Sequence, residues 1–197
     1  MKSGMTNIIK LSSILLIGLI TTQVIADDLC YLSQKKSEKA FPSLIKCYKS
    51  NSDSCCVSAH DSEIGSEIDS FLSSSCVRRF AEIEFYFCYG CHYTEPKSTN
   101  STANTITLCK SFVERLWGSD INSPTEKFDH CGFKVGSNIE IPSKKWASAS
   151  AFFADVLPPL FSGFSIQIAD DDKNCFNTAP GHTLVALGVA LVAYLTV

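Results

Sequence analysis

Apolar side chains recur through the middle of this chain at the three- and four-residue steps of a helix. Ile64, Ile68, Phe71, Leu72, Cys76, Phe80 and Ile83 share one face, which predicts one long amphipathic helix over residues 61–86 with its cysteine-bearing side buried. Ser58 and Asp61 resemble a capping box ahead of it. A second helix is predicted from Ile106, Cys109, Phe112, Val113 and Leu116, stopped by Gly118, and a short third starts at Ser123-Pro124 with Glu126 in the capping position. Trp146, Phe153 and Leu157 line a fourth. It must end before Pro158-Pro159, since proline excludes the residue before it from helical backbone. Around Pro42, Leu44, Ile45 and Tyr48 suggest a further turn or two of helix. Strand signals are weaker: Phe164, Ile166 and Ile168 alternate with polar neighbours over one short segment, so any sheet is small. From Thr94 to Thr105 the chain turns to Ser, Thr, Asn and Pro, an exposed loop that carries the glycosylation sequon Asn100-Ser101-Thr102.

Two apolar segments lie outside this periodic region. Lys2 and Lys10, an apolar run from Leu11 to Ile20 and the small-residue end at Ala26 predict a signal peptide over residues 1–26. Thr183 to Val197 is apolar to the last residue with no basic residue behind it, which predicts a glycolipid-anchor (GPI) signal over residues 178–197. Asn177 is the expected attachment residue. Asp172 or Asn174 would give better spacing, but cutting there would part Cys175 from the other nine cysteines. Residues 27–177 then form one domain of normal size, at the outer face of the plasma membrane.

That compartment decides how the cysteines are read. Thiols oxidise in the secretory lumen, so Cys30, Cys47, Cys55, Cys56, Cys76, Cys88, Cys91, Cys109, Cys131 and Cys175 predict five disulfides. Adjacent Cys55 and Cys56 should reach two different elements. The expected fold class is mainly α and disulfide-rich, with a few short strands. The formal net charge of −3 and the lack of a basic stripe argue against a nucleic-acid partner.

Cys88-Tyr89-Gly90-Cys91-His92 matches the C-x-x-C-H pattern of covalent haem attachment. The only methionines, Met1 and Met5, leave with the signal peptide, so the expected use of the pair is two disulfide halves at a helix end, followed by a surface histidine. The pair follows a helix instead of opening one, which argues against a dithiol redox site, and no second pair stands at zinc-finger spacing. No nucleophile-elbow pattern appears. The expectation is therefore no enzyme, no catalytic residue, no metal and no cofactor. Beside the pair stand Phe85, Tyr86, Phe87, Tyr89 and Tyr93. Phe85 and Phe87 are expected in the core; Tyr86 and Tyr89 suit a ligand because a phenol offers both a wall and a hydrogen bond.

The order Cys55-Cys56, then Cys76, Phe80 and the Cys88/Cys91 pair, then Leu108-Cys109-Lys110 leading to Trp117, resembles the folate-receptor-like cysteine-rich domain. The resemblance covers roughly Cys47 to Cys131. It implies a disulfide-knitted helical domain with an open aromatic pocket, often on a glycolipid anchor. Where folate-binding members hold the pterin with an aspartate, this chain has Tyr86, while Trp117 carries over as a pocket or core aromatic. The resulting expectation is a cell-surface binding module that captures a small organic ligand against Tyr86, Tyr89 and Trp117. The alternative is an adhesion or recognition protein on the same scaffold without a pocket, bound to another cell-surface protein. A c-type haem protein is a third reading.

Overall fold

The apolar period of residues 61–86 is realised as three helices, α1 (Ser58–Phe71), α2 (Ser74–Arg79) and α3 (Ala81–Phe87), instead of the single one expected. These belong to a computed structural model that describes residues 29–171 and 174–178. The expected signal peptide, and all of the expected anchor signal except Thr178, lie outside the described residues. The first break falls at Leu72, whose extended backbone forms a bridge to Phe133, and Ser73 restarts the helix by accepting the Cys76 N–H on its hydroxyl at 3.2 Å. The second falls at Phe80, which leaves helical geometry between α2 and α3. The face survives both breaks: Ile64, Ile68, Leu72, Cys76 and Ile83 are all buried.

The expected capping box is not formed. Helix α1 starts from Val57, and Asp61 turns its carboxylate away to a preceding loop. After α3 come a 3₁₀ turn (Tyr89–Cys91) and a short helix α4 (Glu95–Ser98) inside the segment read as a loop. Its first residue, Glu95, is fully buried. The loop proper is narrower, with Asn100 to Asn104 exposed.

Strands β1 (Thr99–Asn100) and β2 (Thr105–Cys109) pair antiparallel, and β2 pairs in parallel with β5 (Ser165–Ala169), Ile106 opposite Ile166 and Leu108 opposite Ile168. Ile106 to Cys109 were expected to open the second helix. Their alternating threonines and apolar residues suit a strand between two neighbours, and α5 (Lys110–Trp117) begins only after Cys109. The Cys109–Cys175 disulfide returns the chain to β2, where Phe176 donates its N–H to Thr107 at 2.8 Å and accepts the Cys109 N–H at 3.0 Å.

The third expected helix is replaced by turns that serve Trp117. Its indole N–H donates to the Ser123 carbonyl at 2.9 Å, and the Thr125 hydroxyl donates to the Trp117 carbonyl while accepting the Phe128 N–H. Only the 3₁₀ turn Phe128–His130 follows. A hairpin of β3 (Phe133–Val135) and β4 (Asn138–Glu140) leads to α6 (Pro142–Lys145) and α7 (Ala149–Asp155). Helix α7 is capped by Ser148 and stops ahead of the two prolines as expected. Near Pro42 only the 3₁₀ turn Tyr48–Ser50 forms.

The fold is thus helix-rich with short strands and five disulfides: Cys30–Cys55, Cys47–Cys88, Cys56–Cys91, Cys76–Cys131 and Cys109–Cys175. Each closes 25 to 66 residues, and such loops contribute about 2–4 kcal/mol apiece. Cys55 and Cys56 do reach different elements. Among the described residues no helix is long and apolar enough to cross a membrane.

Candidate functional site

Tyr86, Tyr89 and Trp117, the three residues expected to face a ligand, are fully buried. The Tyr86 hydroxyl donates to the Val156 carbonyl at 2.6 Å, and the Tyr89 hydroxyl lies 2.9 Å from Ser98 Oγ and 2.6 Å from Thr99 Oγ1. Burial raises both phenols above their ordinary range, so neither ionises near neutrality. The space between Tyr86 and Trp117 is occupied by Phe152, whose ring centroid is 6.2 Å from the first and 5.5 Å from the second. Phe128, Trp146 and Phe153 close around the same ring at 5.0–5.5 Å. These side chains make a filled aromatic core. The periodicity picked out Phe153 and passed over Phe152, because α7 is too short for its spacing to show which of two adjacent phenylalanines is central.

The C-x-x-C-H segment has both sulfurs in disulfides, to Cys47 and Cys56, leaving no thiol to add to a porphyrin. His92 is not the surface residue expected. It packs against Phe176 at 5.2 Å, keeps Nδ1 2.7 Å from Thr94 Oγ1, and burial lowers its pKa to about 4. The Glu95 carboxylate lies near the Cys30 and Cys55 sulfurs and accepts from the Tyr31 N–H at 2.9 Å and the Thr99 hydroxyl at 2.6 Å. With those sulfurs bonded to each other, the three are not a metal donor set. Asn100 is exposed on its turn with Oδ1 accepting the Ala103 N–H. The Asn177 carbonyl oxygen accepts from Arg115 of α5 at 2.6 Å, and its amide donates to Ser111.

The two most exposed large apolar side chains among the described residues, Phe41 and Ile45, stand on the loop between Ala40 and Asn51. Phe41 is 98% exposed, Ile45 82% and Tyr48 54%. The backbone beneath them is fastened at every turn. Ala40 donates to the Asn51 carbonyl, and the Asn51 side chain both accepts from Leu44 N–H at 2.7 Å and donates to the Leu44 carbonyl at 3.1 Å. The Asp61 carboxylate receives three successive N–H groups, from Ile45 at 2.6 Å, Lys46 at 3.1 Å and Cys47 at 2.7 Å. Leu44 and Cys47 are buried beneath, and Cys47 is bonded to Cys88. The Lys46 stem crosses α1 at Gly65, where a Cβ would meet its Cγ at 2.6 Å, and its ammonium pairs with Asp69 at 2.6 Å. Lys49 lies 4.2 Å from the Phe85 ring centre and 3.4 Å from Glu84.

Sequence reasoning took Pro42 to Tyr48 as helix and Asp61 as a cap. The carboxylate's true partners lie 14 to 16 residues upstream, a distance at which sequence spacing carries no signal.

A surface groove of about 440 Å³ runs between α7 and β5, lined by Phe153, Leu157, Phe164, Ile166 and Ile168 with Ser150 and Ser165 among the polar groups. None of Tyr86, Tyr89 and Trp117 reaches it. No family model matches this chain, and no curated protein matches it.

Proposed function

We propose that this chain is a disulfide-knit recognition module of the cell exterior that docks a partner protein through the loop between Ala40 and Asn51. The observation that carries the reading is the pairing of near-complete exposure at Phe41 and Ile45 with a backbone held by Asp61, Asn51 and a disulfide. Apolar surface left in water forgoes about 25 cal/mol per Å², and large apolar anchors on a rigid support are what interface hot spots are made of. Lys39 stands just ahead of the anchors, so the matching surface is an apolar cleft with an acidic group at its edge.

Five disulfides support an oxidising compartment. In this reading residues 1–26 direct export, a glycolipid at Asn177 tethers the domain to the outer leaflet, and the scaffold is kin to the folate-receptor-like domain in its pocketless form. Release of the protein from cells by a phosphatidylinositol-specific phospholipase tests the tether.

The small-ligand reading retains one observation of its own, the groove between α7 and β5, whose apolar lining suits a planar organic molecule. A thermal-shift screen, with Ile166→Ser as the control that abolishes any stabilisation, tests it.

The docking test uses the fluorescent, disulfide-intact domain on intact cells, on the same cells shaved with trypsin, and on protein-free vesicles. Binding that disappears on shaving, and falls at least tenfold in Phe41→Ser/Ile45→Ser with an unchanged melting temperature, is the expected result. Binding to vesicles, or binding indifferent to the double substitution, overturns it.

A further inference from the structure

Away from that loop, two walls of the molecule meet at a notch of about 270 Å³ lined by Lys36, Ser37, Tyr93, Pro96 and Lys97. Its construction is specific. One wall, Lys36 and Ser37, belongs to the N-terminal segment; the other, Tyr93 to Lys97, runs into α4. The walls are joined through the segment between them: Glu38 bridges Ser54, Ser54 bridges His92, and the Cys55 N–H donates to the Cys91 carbonyl at 3.0 Å. Cys30–Cys55 and Cys56–Cys91 fasten the same strip covalently.

Each lining group has a definite part. Tyr93 is 53% exposed and stacks on His92 with centroids 4.6 Å apart, so a phenol ring stands in water with a second ring behind it. That backing ring carries no charge near neutrality, because burial keeps His92 deprotonated down to about pH 4. Pro96 adds a rigid apolar face next to the phenol. Lys36 and Lys97 bring an ammonium from each wall, and neither belongs to an ion pair among the described residues. The acid closest to them in α4, Glu95, is turned inward to Tyr31 and Thr99 and fully buried, with its carboxyl raised above the ordinary range by that burial. The neighbouring cavity, of about 220 Å³, has Lys35 and Lys36 in its lining together with the carboxylate of Glu38, whereas no acid lines the notch.

We propose that this notch binds a terminal acidic sugar, its carboxylate between Lys36 and Lys97 and its C–H face on Tyr93 and Pro96. Two cations, a hydroxyl at Ser37 and an aromatic platform match a ligand that is at once anionic, hydroxylated and flat on one side. A bare anion would leave the platform unused, and a neutral sugar would leave both ammonium groups without a partner. The volume lies near the lower end of small-ligand sites, about 300 Å³, so one ring is held rather than a chain. A long sulfated polyanion meets a protein with a net charge of −3 and only a local pair of lysines, and is disfavoured. The inference does not rest on docking by the Phe41 loop, since the two sites share no residue.

The experiment is saturation-transfer NMR with calorimetry on the disulfide-intact domain, using sialyllactose and glucuronic acid, with lactose, inorganic phosphate and a heparin hexasaccharide alongside. An acidic sugar should bind with a dissociation constant of about 1 mM or below, at least tenfold tighter than lactose or phosphate. Lys97→Ala, Lys36→Ala and Tyr93→Ala should each weaken it at least fivefold with the melting temperature unchanged, and Phe41→Ser should leave it unaltered. The proposal is overturned if no acidic sugar binds, if phosphate binds as well as the sugars, if the heparin fragment binds tightest, or if binding survives all three substitutions.

Discussion

The carboxylate of Asp61, one turn into α1, holds the backbone N–H of Cys47 at 2.7 Å, and the same carboxylate takes the N–H groups of Ile45 and Lys46. A charged acceptor thus fixes the three residues that lead from the exposed Ile45 to the disulfide at Cys47. Hydrogen bonds to a charged group contribute about 1.5–3 kcal/mol each when measured singly, and three sharing one acceptor are not additive. Asp61→Ala should therefore lower stability by about 3 kcal/mol in urea unfolding. Hydrogen exchange at the Ile45 and Lys46 amides should accelerate further than in the rest of the core. Unchanged protection there would show that the disulfide alone orders the loop.

Phe152 fills the space between Tyr86 and Trp117, and five aromatic partners surround it. Phe152→Ala should cost about 3–5 kcal/mol, the range for deleting a buried phenylalanine ring. It also opens the cavity that the sequence reading expected between those residues. An apolar aromatic such as benzene should then raise the melting temperature of the variant and not of the parent. Failure of the variant to gain that response would show that the core collapses into the gap.

Local periodicity made the buried face of residues 61–86 legible, as it did the strand at Ile166 and Ile168 and the end of α7 before Pro158. It did not show the break at Leu72, which pairs with Phe133 some sixty residues on, nor the one at Phe80; the short helix between them is tied to Cys131 through Cys76. Ile106 to Cys109 reads as helix on spacing alone, yet it takes strand form because β5, some sixty residues on, pairs with it. The candidate ligand contacts failed for a related reason. An aromatic beside a cysteine pair looks the same in sequence whether it lines a cleft or packs a core, and only the position of Phe152 decides. The exposed anchors Phe41 and Ile45 were hidden in another way, since the apolar residues around Pro42 read as a turn or two of helix, which does not show that two of them face solvent.

Non-reducing peptide mapping should return the five bridges found here, with Cys30, Cys55, Cys56 and Cys91 in one linked cluster, because Cys55 and Cys56 adjoin. Replacing Cys47 and Cys88 together by Ala should cost about 3–4 kcal/mol in the loop-entropy account. That loss should appear as a lower urea midpoint with the remaining four bridges intact. Recovery of any bridge between the two halves of the cluster and Cys109 or Cys175 would contradict the fold.

Asn100 stands exposed at the end of β1, its side-chain Oδ1 accepting the Ala103 N–H of the turn that follows. Material passed through a secretory pathway should carry one glycan there, removed by endoglycosidase and absent from Asn100→Gln. A protein that leaves the cell with an unmodified Asn100 would argue against occupancy of this sequon.

Two buried groups on one strip make stability depend on pH in opposite senses. Burial lowers His92 to about 4, against the opposing pull of the Asp53 carboxylate. As pH falls from about 6.5 to 4, the unfolded imidazole takes up a proton that the folded one refuses. Stability should therefore decline across that window, by up to about 3 kcal/mol, and level off below it. Burial raises Glu95, so the folded state holds that carboxyl's proton more firmly than the unfolded chain does. Its contribution is present in acid and is lost as pH rises through the raised value. His92→Gln should flatten the decline between pH 6.5 and 4, and Glu95→Gln should remove the loss on the other side. Urea midpoints of the three proteins at pH 4.5, 5.5 and 7 separate the effects, and an unaltered slope in His92→Gln would mean that its imidazole is solvated in the folded state after all.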